Sequence, residues 1–173
     1  MALSKIDTAA IAADAIEAAQ LKSDAITSGD LPAGSVLQVL NAQNSTTVSL
    51  PNNETFSTGV SLAITPSSTS SKILCIGMGA GDIASGYFRA LFFRLTRGGS
   101  QIFYNQYLMY DSNNQDHNIA TQPMVFLDSP ATTSAVTYAI QARHQSGSAF
   151  TGTFNGAINQ YNISTLTLME IAV

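Results

Sequence analysis

From Ser35 to Val173 the chain is a series of short runs rich in β-branched and aromatic residues, punctuated by Gly, Pro, Ser, Asn and Asp. Runs of this kind form strands, because branched and aromatic side chains fit a pleated, half-buried surface and the intervening residues favour turns. Ten candidates follow one another: 35–40, 46–50, 59–65, 72–77, 87–97, 101–110, 122–127, 135–145, 149–155 and 164–171. No long helical pattern interrupts them, which predicts an all-β fold, a sandwich or jelly roll. The run Thr165 to Val173 alternates almost to the end of the sequence, the mark of a last strand held inside a sheet. The run Phe88 to Thr96 is apolar on both faces apart from Arg89 and Arg94. One face is expected to meet the core and the other a neighbouring subunit.

Charge is scarce in this region. Residues 32–173 carry five basic and six acidic side chains, whereas the whole chain has 37 Ser and Thr and 21 Asn and Gln. Hydroxyls and amides must therefore supply most of the polar surface, and uncharged strand faces bearing aromatics or Met resemble the centre of a protein interface. The expected subunit contact comprises Phe88, Phe92, Tyr104, Tyr107 and Met169, with Arg89 and Arg94 reaching carboxylates or backbone carbonyls at its rim. Tyr104, Tyr107 and Tyr110 recur at threes, so Tyr107 points out if the other two point in. An exposed tyrosine of this set would suit a sugar ring or a protein contact, although ordinary sheet packing between subunits is the favoured reading. A net charge of −4 argues against nucleic acid as a partner, and the apolar runs are too short to span a bilayer.

Residues 1–31 differ in kind. Two lysines stand against five acidic residues, and Ile6, Ile11, Ile16, Leu21, Ile26 and Leu31 fall five apart. Asp-Ala-Ile recurs at 14–16 and 24–26, so the unit is a doubled ten. A step of five turns about 140° on an α-helix and scatters these side chains around its axis. On a flat strand the same step alternates faces. A stalk wound from several chains would bring Ile11, Ile16, Leu21 and Ile26 to a shared axis, as in solenoids built of short extended steps. The competing reading is an Ala-rich helix or coiled coil, in which Ile11, Ala15, Ala18, Lys22 and Ala25 follow heptad spacing. A boundary at Leu31-Pro32-Ala33-Gly34 separates this segment from a domain at 32–173.

Motifs for chemistry are weak. Gly79-Ala-Gly-Asp-Ile-Ala84 fits a loose Gly-x-Gly-x-x-Ala form, but no helix opens after it and no acidic residue lies about 20 residues on. It reads as a Gly-rich connection between strands. Cys75, among Ile73, Leu74 and Ile76, reads as a buried thiol; as the one cysteine it cannot close an intrachain disulfide. His117 and His144 lack partners at zinc-ligand spacing, and Asp111 to Asp116 lacks the Gly and terminal Glu of an EF-hand loop. With no nucleophile elbow and no evident carboxylate pair, the expectation is a nonenzymatic protein without cofactor or metal. The N-terminus lacks a basic flank and apolar core, so assembly in a reducing cytoplasm is expected.

Three stretches carry a resemblance: Thr58 to Leu74, Phe126 to Tyr138 and Ser164 to Ala172. They resemble the C-terminal domain of small tail-fibre or virion structural proteins of bacteriophages, particularly aquatic ones. The Ile6-Asp-Thr-Ala-Ala-Ile-Ala-Ala-Asp-Ala-Ile16 repeat is similar to the ten-residue repeats that often precede such domains. The resemblance implies a homotrimer with a jelly-roll head of the tumour-necrosis-factor or C1q kind on a thin stalk, assembled in the bacterial host cytoplasm and carried on the virion. Residues 1–31 would then bind a phage capsid or tail protein. A capsid decoration protein or head fibre is the first expectation, on the shortness of that anchor. The alternative is a tail-fibre tip that reads a host surface glycan or protein.

Overall fold

The structure is a computed structural model that describes residues 27, 30–50, 55–84, 89–109, 117–146, 152–155 and 162–173. The stalk positions Ile11, Ile16, Leu21 and Ile26, the interface candidate Phe88, and the Asp111 to Asp116 turn lie outside the described residues. Ten strands follow in order: β1 (Val36–Asn44), β2 (Val48–Leu50), β3 (Ser57–Ile64), β4 (Lys72–Ala84), β5 (Arg89–Arg97), β6 (Ser100–Met109), β7 (His117–Asp128), β8 (Val136–Ser146), β9 (Gly152–Phe154) and β10 (Ser164–Ile171). Each coincides with one of the ten runs, although β4 and β7 extend well beyond theirs. No α-helix occurs among the described residues, and none is long and apolar enough to cross a membrane.

Two antiparallel sheets make a sandwich. The first has the order β1-β10-β4-β9-β2, and β7 pairs along the other side of β4. The second has the order β3-β8-β5-β6. The C-terminal strand β10 lies between β1 and β4, as its alternation predicts. Its even-numbered residues Leu166 and Leu168 enter the core while Thr165, Thr167 and Met169 face out. Facing them from the second sheet are Val60 and Ile64 on β3, Leu91, Phe93 and Leu95 on β5, and Tyr138 and Ile140 on β8. The β5–β6 hairpin closes at Gly98-Gly99, both at positive φ (53° and 84°), where Arg97 pairs with Ser100. Two such residues supply the backbone twist a two-residue hairpin requires.

The glycine-rich run is not a connection. Gly77, Gly79 and Gly81 lie within β4, alternating with Met78 and Ala80, and their inner side is filled by the second sheet. A Cβ on Gly79 would lie 2.9 Å from Phe93 Cδ1, and one on Gly77 would lie 2.6 Å from Ile140 Cδ1. The glycines let side chains of β5 and β8 reach the backbone of β4, the close approach that glycine in a strand interior marks. The signal was the period of two in Gly-Met-Gly-Ala-Gly, which is strand spacing.

Candidate interaction surfaces

The sandwich presents two outer faces with different chemistry. On the first sheet, register places Val39, Met169, Leu74 and Leu127 side by side across β1, β10, β4 and β7. The next row is Asn41, Thr167, Ile76 and Val125, and the third is Gln43, Thr165, Met78 and Pro123. Directly opposed residues of an antiparallel ladder share a face, so the three rows form one continuous surface. It holds no charged residue. Val125 is 66% exposed, Leu127 55% and Val39 51%. Lys72 lies past the first row, its Nζ donating to Ser129 Oγ at 2.8 Å.

This face is braced from within by Glu170. Its carboxylate is buried on the inner side of β10 and accepts from Gln38 Nε2 at 2.6 Å, and from Ser67 N and Ser67 Oγ at 2.7 Å each. Burial pushes the carboxyl pKa up, but these hydrogen bonds outweigh it and hold it below the ordinary value. The group ties β1, β10 and the loop after β3 together without a cation.

The second sheet's outer face is covered by its own side chains. Phe92 on β5 is only 5% exposed, because Tyr104 stacks on it at 6.1 Å and the Arg143 guanidinium lies 4.1 Å above its ring. Arg94 lies 3.9 Å over Phe56, and Tyr104 meets Phe56 edge-on at 6.5 Å. Arg94 Nε donates to Gln141 Oε1 at 2.8 Å, and Gln141 Nε2 donates to Thr58 Oγ1 at 2.9 Å. Arg94 was expected to reach a carboxylate or backbone carbonyls; an aromatic ring and a side-chain amide take their place. Burial, and then the charge of Arg143, pushes the Arg94 pKa down. Tyr104 stands opposite Arg94 on this outer face and is 41% exposed, so it does not point into the core.

Among the interface candidates, Phe92 and Tyr104 thus meet on the second sheet, whereas Met169 lies half-buried on the first. The Tyr107 backbone pairs with Leu91; its side chain and that of Arg89 lie outside the described residues. Sequence reasoning passed over Val125, Leu127 and Ile76, the centre of the apolar face, because each sits in an ordinary strand run. It also passed over Arg143, whose stacking partner Phe92 is far away in sequence.

The remaining polar groups are structural in geometry. Arg97 Nη1 donates to Asp128 Oδ1 at 2.9 Å and Oδ2 at 3.0 Å, while the buried Tyr138 hydroxyl donates to Oδ2 at 2.6 Å. Burial and then the Asp128 hydrogen bond push the Tyr138 pKa up. Cys75 is buried as expected, and burial, with the Asp128 charge second, pushes its thiol up to about 12. A thiol so placed is protonated at neutral pH and is no nucleophile. Among the described residues no three His, Cys, Asp or Glu side chains gather as a metal site. One groove of about 300 Å³ between β1 and β3 is lined by the uncharged polar side chains of Gln43, Asn44, Thr58 and Ser61 together with Ala42 and Val60.

No family model matches the chain, and no curated protein matches it. Similar solved structures include a crystal structure of the T13 infectious bursal disease virus particle, at 10% identity and TM-score 0.43, covering 79% of this chain and 35% of that one. Another is the VP2 subviral particle of the same virus, at 14% identity and TM-score 0.38, covering 80% of this chain and 38% of that one. A third is dimeric latent PorU from Porphyromonas gingivalis, at 10% identity and TM-score 0.34, covering 81% and 11%. The chain therefore spans little more than a third of the viral proteins it matches.

Proposed function

We propose that the protein is a nonenzymatic structural protein of a phage virion, a homotrimeric capsid decoration protein or head fibre whose jelly-roll head is displayed outward. The observation that supports it is the uncharged face of β1, β10, β4 and β7. Its apolar row Val39, Met169, Leu74 and Leu127 crosses four strands, with Val39 and Leu127 exposed and Met169 and Leu74 half-buried between them. Contiguous apolar patches on soluble domains mark interaction sites, and charge depletion with Met is the composition of an interface centre. The repeat at residues 1–31 supports a stalk with Ile11, Ile16, Leu21 and Ile26 at the axis, its N-terminal end held by a capsid protein.

Sedimentation of the purified protein at micromolar concentration tests the assembly: a stable monomer would defeat it. Quantifying copies per particle tests the location, since decoration of the shell requires an abundance comparable to that of the capsid protein. Replacing Ile16 with Asp is expected to expose the stalk to protease in every chain while the head stays folded.

A second reading, a tail-fibre tip that binds a host surface glycan, draws on the other face. There the exposed Tyr104 ring beside Phe56 and Arg94 offers the stacking surface that sugars use. A low copy number, together with loss of adsorption in a Tyr104→Ala variant that keeps its assembly, would favour it.

A further inference from the structure

Among the described side chains of β8, His144 is the buried one whose chemistry the sandwich does not explain. It follows Tyr138, Ile140 and Ala142 on the inner face and is fully buried. Leu91 of β5 stands opposite it in the ladder. Gly152 of β9 lies so close that a Cβ there would be 2.9 Å from the ring's Cδ2 and 3.3 Å from the Asp82 carbonyl oxygen of β4. Neither Nδ1 nor Nε2 makes a hydrogen bond of good geometry among the described residues, and the nearby Leu50 backbone offers the ring only a weak acceptor. A neutral imidazole carries one donor and one acceptor, and a charged one carries two donors. Protonation therefore adds both a charge and a second donor to a site with little to receive them.

Among the described residues, no charged side chain supplies the ring with a counter-ion. On β4, Gly81 faces the core, so alternation turns the neighbouring Asp82 side chain to the other face. On β8 and β5, Arg143 and Arg94 lie on the outer face against Phe92 and Phe56, while Arg89, at the start of β5, would bring a like charge and no counter-ion. β2, β3 and β9 contain no titratable residue. The backbone of Leu50 gives the protonated ring partial compensation, and burial outweighs it, pushing the pKa down.

We propose that His144 makes the β2–β9 corner of the sandwich acid-sensitive, so that mild acidification frees these two strands while the rest of the head stays folded. The corner suits this role because β2 and β9 are three residues each. Among the described residues β2 pairs with β9 alone, and β9 is held to β4 by the short ladder at Gly81 to Ile83 and by the Asn155 N–H donating to the Ala80 carbonyl at 2.9 Å. Elements with so few backbone bonds open at the lowest free-energy cost.

The sign follows from linkage. The folded ring resists a proton that the opened corner accepts at the ordinary value near 6.5. Stability of the corner is therefore full above about pH 6.5 and falls below it, by at most about tenfold in the opening equilibrium per pH unit for one proton.

Amide exchange of the wild-type protein between pH 7.5 and 5 tests this. Protection factors at Ser49, Leu50, Thr153 and Phe154 are expected to fall up to about tenfold per unit below pH 6.5, while those of Ile73 and Leu168 hold. A His144→Leu variant should lose this dependence, and His117→Asn should keep it. Because the chain has two histidines, NMR of the ring protons can follow His144 directly even if the leucine variant fails to fold. A midpoint at or above 6.5, an unchanged acid response in His144→Leu, or simultaneous loss of protection across the whole sandwich would each overturn the proposal.

Discussion

The two outer faces of the sandwich solve the shortage of charge in opposite ways. The second sheet covers its aromatic residues with its own cations: Arg143 lies over Phe92, Arg94 lies over Phe56, and Tyr104 spans the two rings. The first sheet leaves Val39, Val125 and Leu127 uncovered and carries no ion across three rows. A cation on a ring gives up little water and protects apolar area within one chain. A bare aliphatic row gains only when something else covers it. The difference teaches where association is to be sought: on the face that a lone chain leaves unfinished.

The strongest way to break this contrast is to charge the bare face. Val125→Asp combined with Leu127→Asp should weaken association by about a thousandfold, near 4 kcal/mol, while the thermal midpoint of the isolated chain barely moves. Sedimentation and calorimetry together read both outcomes, and an assembly that survives would move the contact elsewhere. Phe92→Ala should do the reverse. Losing a buried ring under Tyr104 and Arg143 is expected to cost about 3 kcal/mol of chain stability, measured by denaturant titration, with association unchanged.

Two smaller effects sharpen the comparison. Glu170 supports the bare face from beneath, so Glu170→Gln should cost about 2 kcal/mol by replacing charged hydrogen bonds with neutral ones. Because its folded pKa lies below the ordinary carboxylate value, the wild-type contribution is complete above about pH 4.5 and lost as pH falls through the lowered value. The Gln variant should show a shallower decline in acid melts. Arg94→Gln should cost about 1 kcal/mol, the stacking on Phe56, and leave both association and acid response as they are.

Sequence reading reached strands more readily than faces. All ten runs could be placed because turn residues and period-two alternation are local signals, and β10 shows its alternation in eight consecutive residues. The contact between Phe92 and Arg143 was not legible, since it depends on β5 lying beside β8 across a long stretch of intervening chain. The bare face was equally hidden. Leu74, Ile76, Val125 and Leu127 look like core residues in sequence, and only the pairing of β4 with β7 shows that they share the outer side. Composition selects Tyr104 and Met169 for one subunit interface made of several strand faces, and register places them on different sheets. Glu170 gave no signal at all, because its donors Gln38 and Ser67 lie on other elements.

The glycines of β4 have a consequence for how motifs are interpreted. Gly77 and Gly79 leave volume that Ile140 and Phe93 occupy, so a Cβ at either would collide with the opposite sheet, whereas one at Gly81 would only touch Leu91. Selection on packing alone would preserve that spacing among descendants of this chain. Descendants would then keep a Gly-x-Gly pair at Gly77 and Gly79 ahead of Gly81-Asp82-Ile-Ala84, outwardly the fingerprint of a nucleotide cradle. Invariance of glycine records a vacancy that must stay empty of a side chain, and the tenant of that vacancy can be a phenyl ring from the same polypeptide as readily as a phosphate.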